Sequence, residues 1–188
     1  MTTFSALIEK RRSIRQFEKK EIPLAIVEEI IRESCLAPSA RNEQPWHFIV
    51  VRDGGMLKKL SDESKAAILR EIESNPDSPL APYKEVMKVD HFNVFWDAPC
   101  VVYIVGPAHA RSLEVDCALA ASYFMLSATS RGLGTCWVAL GSYIKDNGLR
   151  REMGLPDDFR IIAPIALGYP QMIPAAPPRE APKILKVI

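Results

Sequence analysis

Glu9-Lys10-Arg11-Arg12-Ser13-Ile14-Arg15-Gln16-Phe17 is the stretch on which the reading of this chain turns. Phe4, Leu7 and Ile8 precede it at i, i+3 and i+4, the spacing of an apolar stripe on a first helix. Extending that spacing puts Arg11 on the stripe and Arg12 beside it, at the edge expected to face the core. A guanidinium there needs an anion, because an unpaired buried charge is prohibitive. The anion is either an acidic side chain or a bound phosphate. Ser13, among arginines where the helix should end, suits a tetrahedral oxyanion better than a planar carboxylate. A solvated basic helix end is the plain alternative, and these residues alone leave it open.

The rest of the composition narrows the class. The chain has 188 residues, 48% hydrophobic and 25% charged, which suits one globular domain over 1–188. A formal net charge of +1 argues against a general nucleic-acid binder. No apolar run approaches a membrane span, and Met-Thr-Thr-Phe-Ser lacks the basic-then-apolar order of a signal peptide. Cys35, Cys100, Cys117 and Cys136 have no metal-ligand spacing and read as small hydrophobes in a reducing compartment, so a cytoplasmic protein without a metal site is expected.

Outward from the opening stretch, Pro23 stands at the first turn of a second helix faced by Ile26, Val27, Ile30 and Ile31, which should stop before Pro38. Ser39 to Pro45 is a polar loop leading into a strand from Trp46 to Val51. A third helix runs from Asp53-Gly54-Gly55 to about Glu71, and the proline-rich Ser74 to Pro82 stretch reads as a mobile surface segment. A short helix from Lys84 to Val89 and an aromatic run, His91 to Trp96, lead to a buried strand from Pro99 to Val105. Arg111 to Arg131 is the longest helix, too apolar for one stripe, so it belongs in a core or a subunit interface. Thr135 to Leu140 and Arg160 to Gly168 complete the strands. The proline-rich tail from Pro170 to Ile184-Leu185-Lys186-Val187-Ile188 is too extended to fold on itself and predicts a dimer.

Several chemistries lack their residues. Gly132-Leu133-Gly134 follows a helix and lacks the third glycine of a dinucleotide loop. No His-Glu-x-x-His, Walker loop or Gly-x-Ser-x-Gly is present, and the three histidines are scattered. His47, beside Trp46 and Phe48, reads as structural. An enzyme of this composition leans on a cofactor for its chemistry.

Taken together, four segments resemble the flavin-dependent nitroreductase family in motif and order. They are Arg11-Arg12-Ser13-Ile14-Arg15-Gln16-Phe17, Ala37 to Phe48, Gly132-Leu133-Gly134-Thr135-Cys136-Trp137 and Pro178-Arg179. The resemblance implies an α+β fold with a central, mostly antiparallel sheet flanked by helices, in an intertwined homodimer. Two FMN molecules would lie at its interface, each touched by both chains. Arg11, Arg12, Ser13 and Arg15 would grip the FMN phosphate and ribityl chain, with Arg179 as a further phosphate ligand. Pro38, Ser39, Ala40 and Asn42 would reach the flavin from the other subunit. Trp137, Val138, Ala139, Leu140 and Gly141 would lie along the isoalloxazine near N5, where a backbone N–H tunes the ring.

Two departures bear on this. Where many members place an amide before the strand near Asp97, this chain has His91-Phe92-Asn93. Where many keep a glutamate-glycine pair near N5, it has Ala139-Leu140-Gly141, which removes tuning by a carboxylate. The activity implied is ping-pong electron transfer from NAD(P)H to nitroaromatics, quinones or similar acceptors, with no catalytic acid or base from the protein. The alternatives are reductive dehalogenation, flavin fragmentation, or a flavin-binding regulatory module without turnover. Tyr83, Phe92, Phe95 and Trp96 either cap the pocket or pack beneath a lid.

Overall fold

In a computed structural model describing residues 3–188, a four-stranded sheet runs in the order β1-β2-β4-β3. The strands are β1 (His47–Val51), β2 (Cys100–Pro107), β3 (Gly134–Trp137) and β4 (Phe159–Gly168), and every pairing is antiparallel. His47 opposes Val105 in the first pair, Cys100 opposes Leu167 in the second, and Gly134 opposes Gly168 in the third. One register shift falls between Ile104 and Val105.

Helices α1 (Phe4–Lys10), α2 (Leu24–Ser34), α3 (Gly54–Ser74), α4 (Lys84–Met87), α5 (Leu113–Ser130) and α6 (Asn147–Glu152) surround the sheet. Because strand side chains alternate between faces, the sheet feeds two cores. Val101, Tyr103, Val105, Cys136 and Ala166 join Leu57, Leu60, Ile68 and Ile72 of α3. Val102, Ile104, Ala163, Ile165 and Leu167 join Val27 and Ile30 of α2 and Cys117, Ala120, Ala121, Phe124 and Ala128 of α5. The expected antiparallel sheet between helices is therefore what forms.

Side chains close the helices where the sequence offers them. Asp53 Oδ1 accepts the Met56 N–H at 2.7 Å, so α3 starts one residue after the aspartate and runs three past Glu71. The α2 and α5 helices are tied by Glu33, whose carboxylate receives both Arg131 Nη atoms (2.8 and 2.7 Å) and Ser127 Oγ at 2.6 Å. That fork holds the Glu33 carboxyl down at about 2.

Four expectations need correction. The longest helix is α3, with 21 residues, and not α5, with 18. None of α1 is buried: Phe4 is 68% and Ile8 50% exposed, so its apolar stripe faces away from this chain's core. The chain leaves the helix at Arg11 and becomes extended, so the helical spacing cannot be extrapolated to the arginines. Ile14 and Phe17 are buried there while Arg15 and Gln16 are exposed. The strand from Thr135 stops at Trp137, and Ala139–Ser142 form a 3₁₀ turn: the Val138 N–H still reaches the Pro164 carbonyl at 2.8 Å, but Pro164 has no N–H to return, and the Val138 carbonyl accepts the Gly141 N–H at 2.9 Å instead. Finally, Ser74 to Pro82 is no loose excursion. The Ser78 and Ala81 amides close successive turns, and Leu80 is buried in the α3 core.

Candidate functional site

The extended segment after α1 runs along the free edge of β3. Ser13 bridges Thr135, the Ile14 N–H donates to the Thr135 carbonyl at 2.9 Å, and Phe17 bridges Pro170. Gly134 permits this approach, since a Cβ there would lie 2.6 Å from Ile14 Cγ1. The arginines are thereby carried to the edge of the sheet.

Arg11 and Arg12 meet Arg179 in a groove of about 500 Å³ that Ile8, Glu9, Ala176 and Pro177 complete. Arg12 Nη1 donates to the Glu9 and Arg11 carbonyls at 2.6 and 2.7 Å, satisfying orphan acceptors at the end of α1. Its Nε is buried with no partner. Among the described residues no carboxylate pairs with Arg11, Arg12, Arg15 or Arg179, although Glu9 lines the same groove. Of the two anions the sequence allowed for, an acidic side chain is thus not what comes to Arg11 within this chain.

Arg15 turns to a different neighbour, with its guanidinium carbon 5.7 Å from the centre of the Trp96 ring. Burial pushes the Cys136 thiol up, and the nearby Arg15 and Arg11 charges oppose that shift. Trp96 in turn meets Phe92 edge to face at 5.4 Å. Of the four aromatics expected near a pocket, Phe95 is fully buried while Phe92 and Trp96 are half-buried and Tyr83 is exposed. Phe95 therefore packs, and only its neighbours have surface to offer.

Beyond β3, the 3₁₀ turn presents Ala139 to solvent with Leu140 half-buried and Gly141 buried. A Cβ on Gly141 would collide with Phe95 Cε1. Trp137 and Val138 lead into that turn, and the Gly141 N–H closes it on the Val138 carbonyl at 2.9 Å.

The Pro38, Ser39, Ala40 and Asn42 loop lies elsewhere. Arg41, Asn42 and Gln44 all have left-handed φ (54°, 57° and 47°), a costly conformation for residues with a Cβ. Asp116, buried on α5, anchors the loop by accepting the Ala40 N–H at 3.1 Å. Ser39 Oγ accepts the Gln44 N–H at 3.0 Å. The cavity beside Arg12 touches Thr129, near the other end of α5. At 1.5 Å per residue, Asp116 and Thr129 are about 20 Å apart along the helix. One chain alone does not bring this loop to the arginines. Sequence reasoning misses Asp116, although an acid on the buried side of so apolar a helix is its signal.

Residues 8–169 match the model of the Nitroreductase family. The chain belongs to that family. An Archaeoglobus fulgidus protein, provisionally named NADH dehydrogenase/NAD(P)H nitroreductase, is 33% identical over 88% of this chain and 84% of its own length. A Bacteroides fragilis nitroreductase solved with bound FMN is 26% identical, superposes with a TM-score of 0.83 and covers 96% of both chains. Pig iodotyrosine deiodinase 1 is 22% identical over 98% of this chain and 68% of its own length. Membership makes this nitroreductase-family chain an oxidoreductase of the flavin-dependent class. No helix among its described residues is long and apolar enough to cross a membrane.

Proposed function

We propose that this nitroreductase-family chain binds FMN at the interface of a cytoplasmic homodimer and transfers electrons from NAD(P)H to nitroaromatic, quinone or similar electron-poor acceptors. The observation carrying the proposal is the groove lined by Arg11, Arg12 and Arg179, none of them paired with a carboxylate among the described residues and one with a buried, unsatisfied Nε. A phosphate dianion fits that donor set in charge and in number of acceptors.

On this reading Arg11, Arg12 and Arg179 hold the phosphate, with Ser13 beside them. Arg15, whose guanidinium lies over Trp96, would hold the ribityl chain. When bound, FMN supplies the two-electron chemistry, accepting hydride from NAD(P)H and delivering it to an acceptor that binds after the nicotinamide leaves. The protein orients. The Ala139 and Leu140 amides at the start of the 3₁₀ turn are placed to donate hydrogen bonds, and the buried Phe95 sets the position of that turn. No side chain is assigned as catalytic acid or base.

The loop of Pro38, Ser39, Ala40 and Asn42 completes the site from the second subunit. Its distance along α5 from the Arg12 end supports this, as do apolar groups left outside the core. Val115, Leu119 and Tyr123 on α5 are 64%, 37% and 42% exposed, and Phe4, Ile8, Ile184 and Leu185 are exposed as well.

The test is an absorbance spectrum of the FMN-reconstituted protein before and after anaerobic NADH or NADPH, followed by turnover with menadione or 4-nitrobenzoate. Flavin bleaching by a nicotinamide and reoxidation by either acceptor is expected. A protein that binds no FMN sinks the proposal, and bound flavin that neither nicotinamide reduces leaves a binding module. The deiodinase relative makes reductive dehalogenation the second reading, which release of iodide from an iodotyrosine would favour.

A further inference from the structure

Lys65 sits on the inner side of α3 and is only 9% exposed, yet no acidic group meets its ammonium among the described residues. Instead Nζ donates to three backbone carbonyls, of Val89 at 2.7 Å, Phe92 at 3.2 Å and Asp90 at 3.4 Å. Those carbonyls belong to the turns just after α4; Val89 also accepts the Phe92 N–H at 3.1 Å, whereas no helical turn continues to supply donors to Asp90 and Phe92. Ser61 lies one turn earlier on the same face of α3, and its Oγ accepts the Val94 N–H at 3.0 Å. Two side chains spaced i, i+4 thus staple residues 89–94 to the helix.

The backbone just past the staple is strained and touches both halves of the site. Asn93 Oδ1 accepts the Phe95 N–H at 2.8 Å, and its carbonyl accepts the Trp96 N–H at 2.9 Å. Trp96 and Asp97 then take left-handed φ of 60° and 52°, which residues with a Cβ hold only when their surroundings enforce it. From there Phe95 presses on Gly141 at the 3₁₀ turn, and Trp96 lies under Arg15. The segment therefore links the arginine run to the turn after β3.

We propose that Lys65, with Ser61, is a positioning residue for the acceptor-facing wall of the site. By donating to the carbonyls of Val89, Asp90 and Phe92 it fixes the strained Phe95–Trp96 corner, and so sets the size of planar acceptor that fits beside Trp96. This rests on the flavin reading above. A buried lysine that only filled space or capped α4 would affect stability and leave acceptor choice untouched.

The test uses the FMN-loaded full chain with Lys65→Met, which keeps the apolar stem and removes the donors. The kcat/KM ratio for menadione over p-benzoquinone, with NADH as donor, should change by about tenfold, since small misplacements at a site carry large rate effects. FMN affinity should stay within about threefold, because the arginine groove is held by other residues. Lys65→Arg should restore the ratio toward wild type. Amide exchange at Val94 and Trp96, measured with or without turnover, should speed up in Lys65→Met. A variant that melts earlier but keeps both the acceptor ratio and the exchange rates overturns the proposal. If Lys65→Met does not fold, Ser61→Ala removes one staple and should shift both readouts in the same direction by a smaller amount; no shift there refutes it equally. Absence of FMN binding or of quinone turnover in the wild type would instead sink the functional reading, and amide exchange alone then decides the staple.

Discussion

Replacing Arg11 by alanine and, separately, Arg12 by alanine should separate cofactor binding from folding. Arg11 makes no hydrogen bond or ion pair from its guanidinium among the described residues, so its removal deletes no polar contact from the apoprotein. It also relieves repulsion in a groove holding Arg11, Arg12 and Arg179. Arg12, in contrast, donates twice to carbonyls at the end of α1. A hydrogen bond to a charged group is worth about 1.5–3 kcal/mol net. One guanidinium lost from a phosphate should therefore weaken FMN binding roughly 10- to 150-fold. Arg11→Ala should show that loss with an unfolding midpoint unchanged or slightly raised. Arg12→Ala should show a comparable loss of affinity and also cost the apoprotein about 1–2 kcal/mol, from two local hydrogen bonds. Flavin-fluorescence titration of apoprotein gives the affinities, and urea unfolding without FMN gives the stabilities. An unchanged FMN affinity in Arg11→Ala would show that the groove is not the phosphate site.

Other perturbations probe the remaining parts. Gly141→Ala forces a methyl into the Phe95 ring and should cost about 1–3 kcal/mol by overpacking while slowing flavin reduction by NADH; unfolding and stopped-flow absorbance check both. Glu33→Gln should destabilise the protein by about 1 kcal/mol at neutral pH, a figure discounted because the carboxylate is 47% exposed. The carboxyl is held at about 2 when folded, so its contribution is present above the ordinary carboxylate range and fades as pH falls through 2. Urea midpoints of the two proteins should therefore converge in strong acid, and a gap constant with pH would refute the ion-pair account. Leu119→Glu places a charge on the exposed apolar face of α5 and should give monomers in sedimentation at micromolar concentration, with FMN affinity falling in step. A dimer that survives would move the interface elsewhere.

How much the sequence alone reveals depends on how local each signal is. The Arg-Arg-Ser-Ile-Arg run, the proline before Ser39 and the alternating apolar strands announce themselves within a few residues, and the sheet and helices are legible from them. The outward stripe of α1 is easily misread, because periodicity says that an apolar face is covered, not which chain covers it. Trp137 to Leu140 is apolar whether it pairs or turns, and what decides is that its distant strand partner at this point is Pro164, which has no N–H to offer the Val138 carbonyl. Lys65 is invisible for a plainer reason. Its acceptors are backbone carbonyls 24 to 27 residues away, and carbonyls leave no mark on residue identity. Asp116 likewise serves a backbone amide, 76 residues upstream.

The pairing of the N-terminal segment with the end of the chain also dictates when the groove can exist. Ser13 and Ile14 wait for Thr135, Glu18 for Tyr169, Gln16 for Gln171, and the groove itself for Arg179. At about 5–20 residues per second, the stretch from Arg12 to Arg179 takes roughly 8–33 s to synthesise. The early arginines spend that interval without their neighbour across the groove. On the proposed reading, phosphate capture waits for Arg179. Truncation near Pro177 would spare every strand and helix yet leave the groove without its third wall.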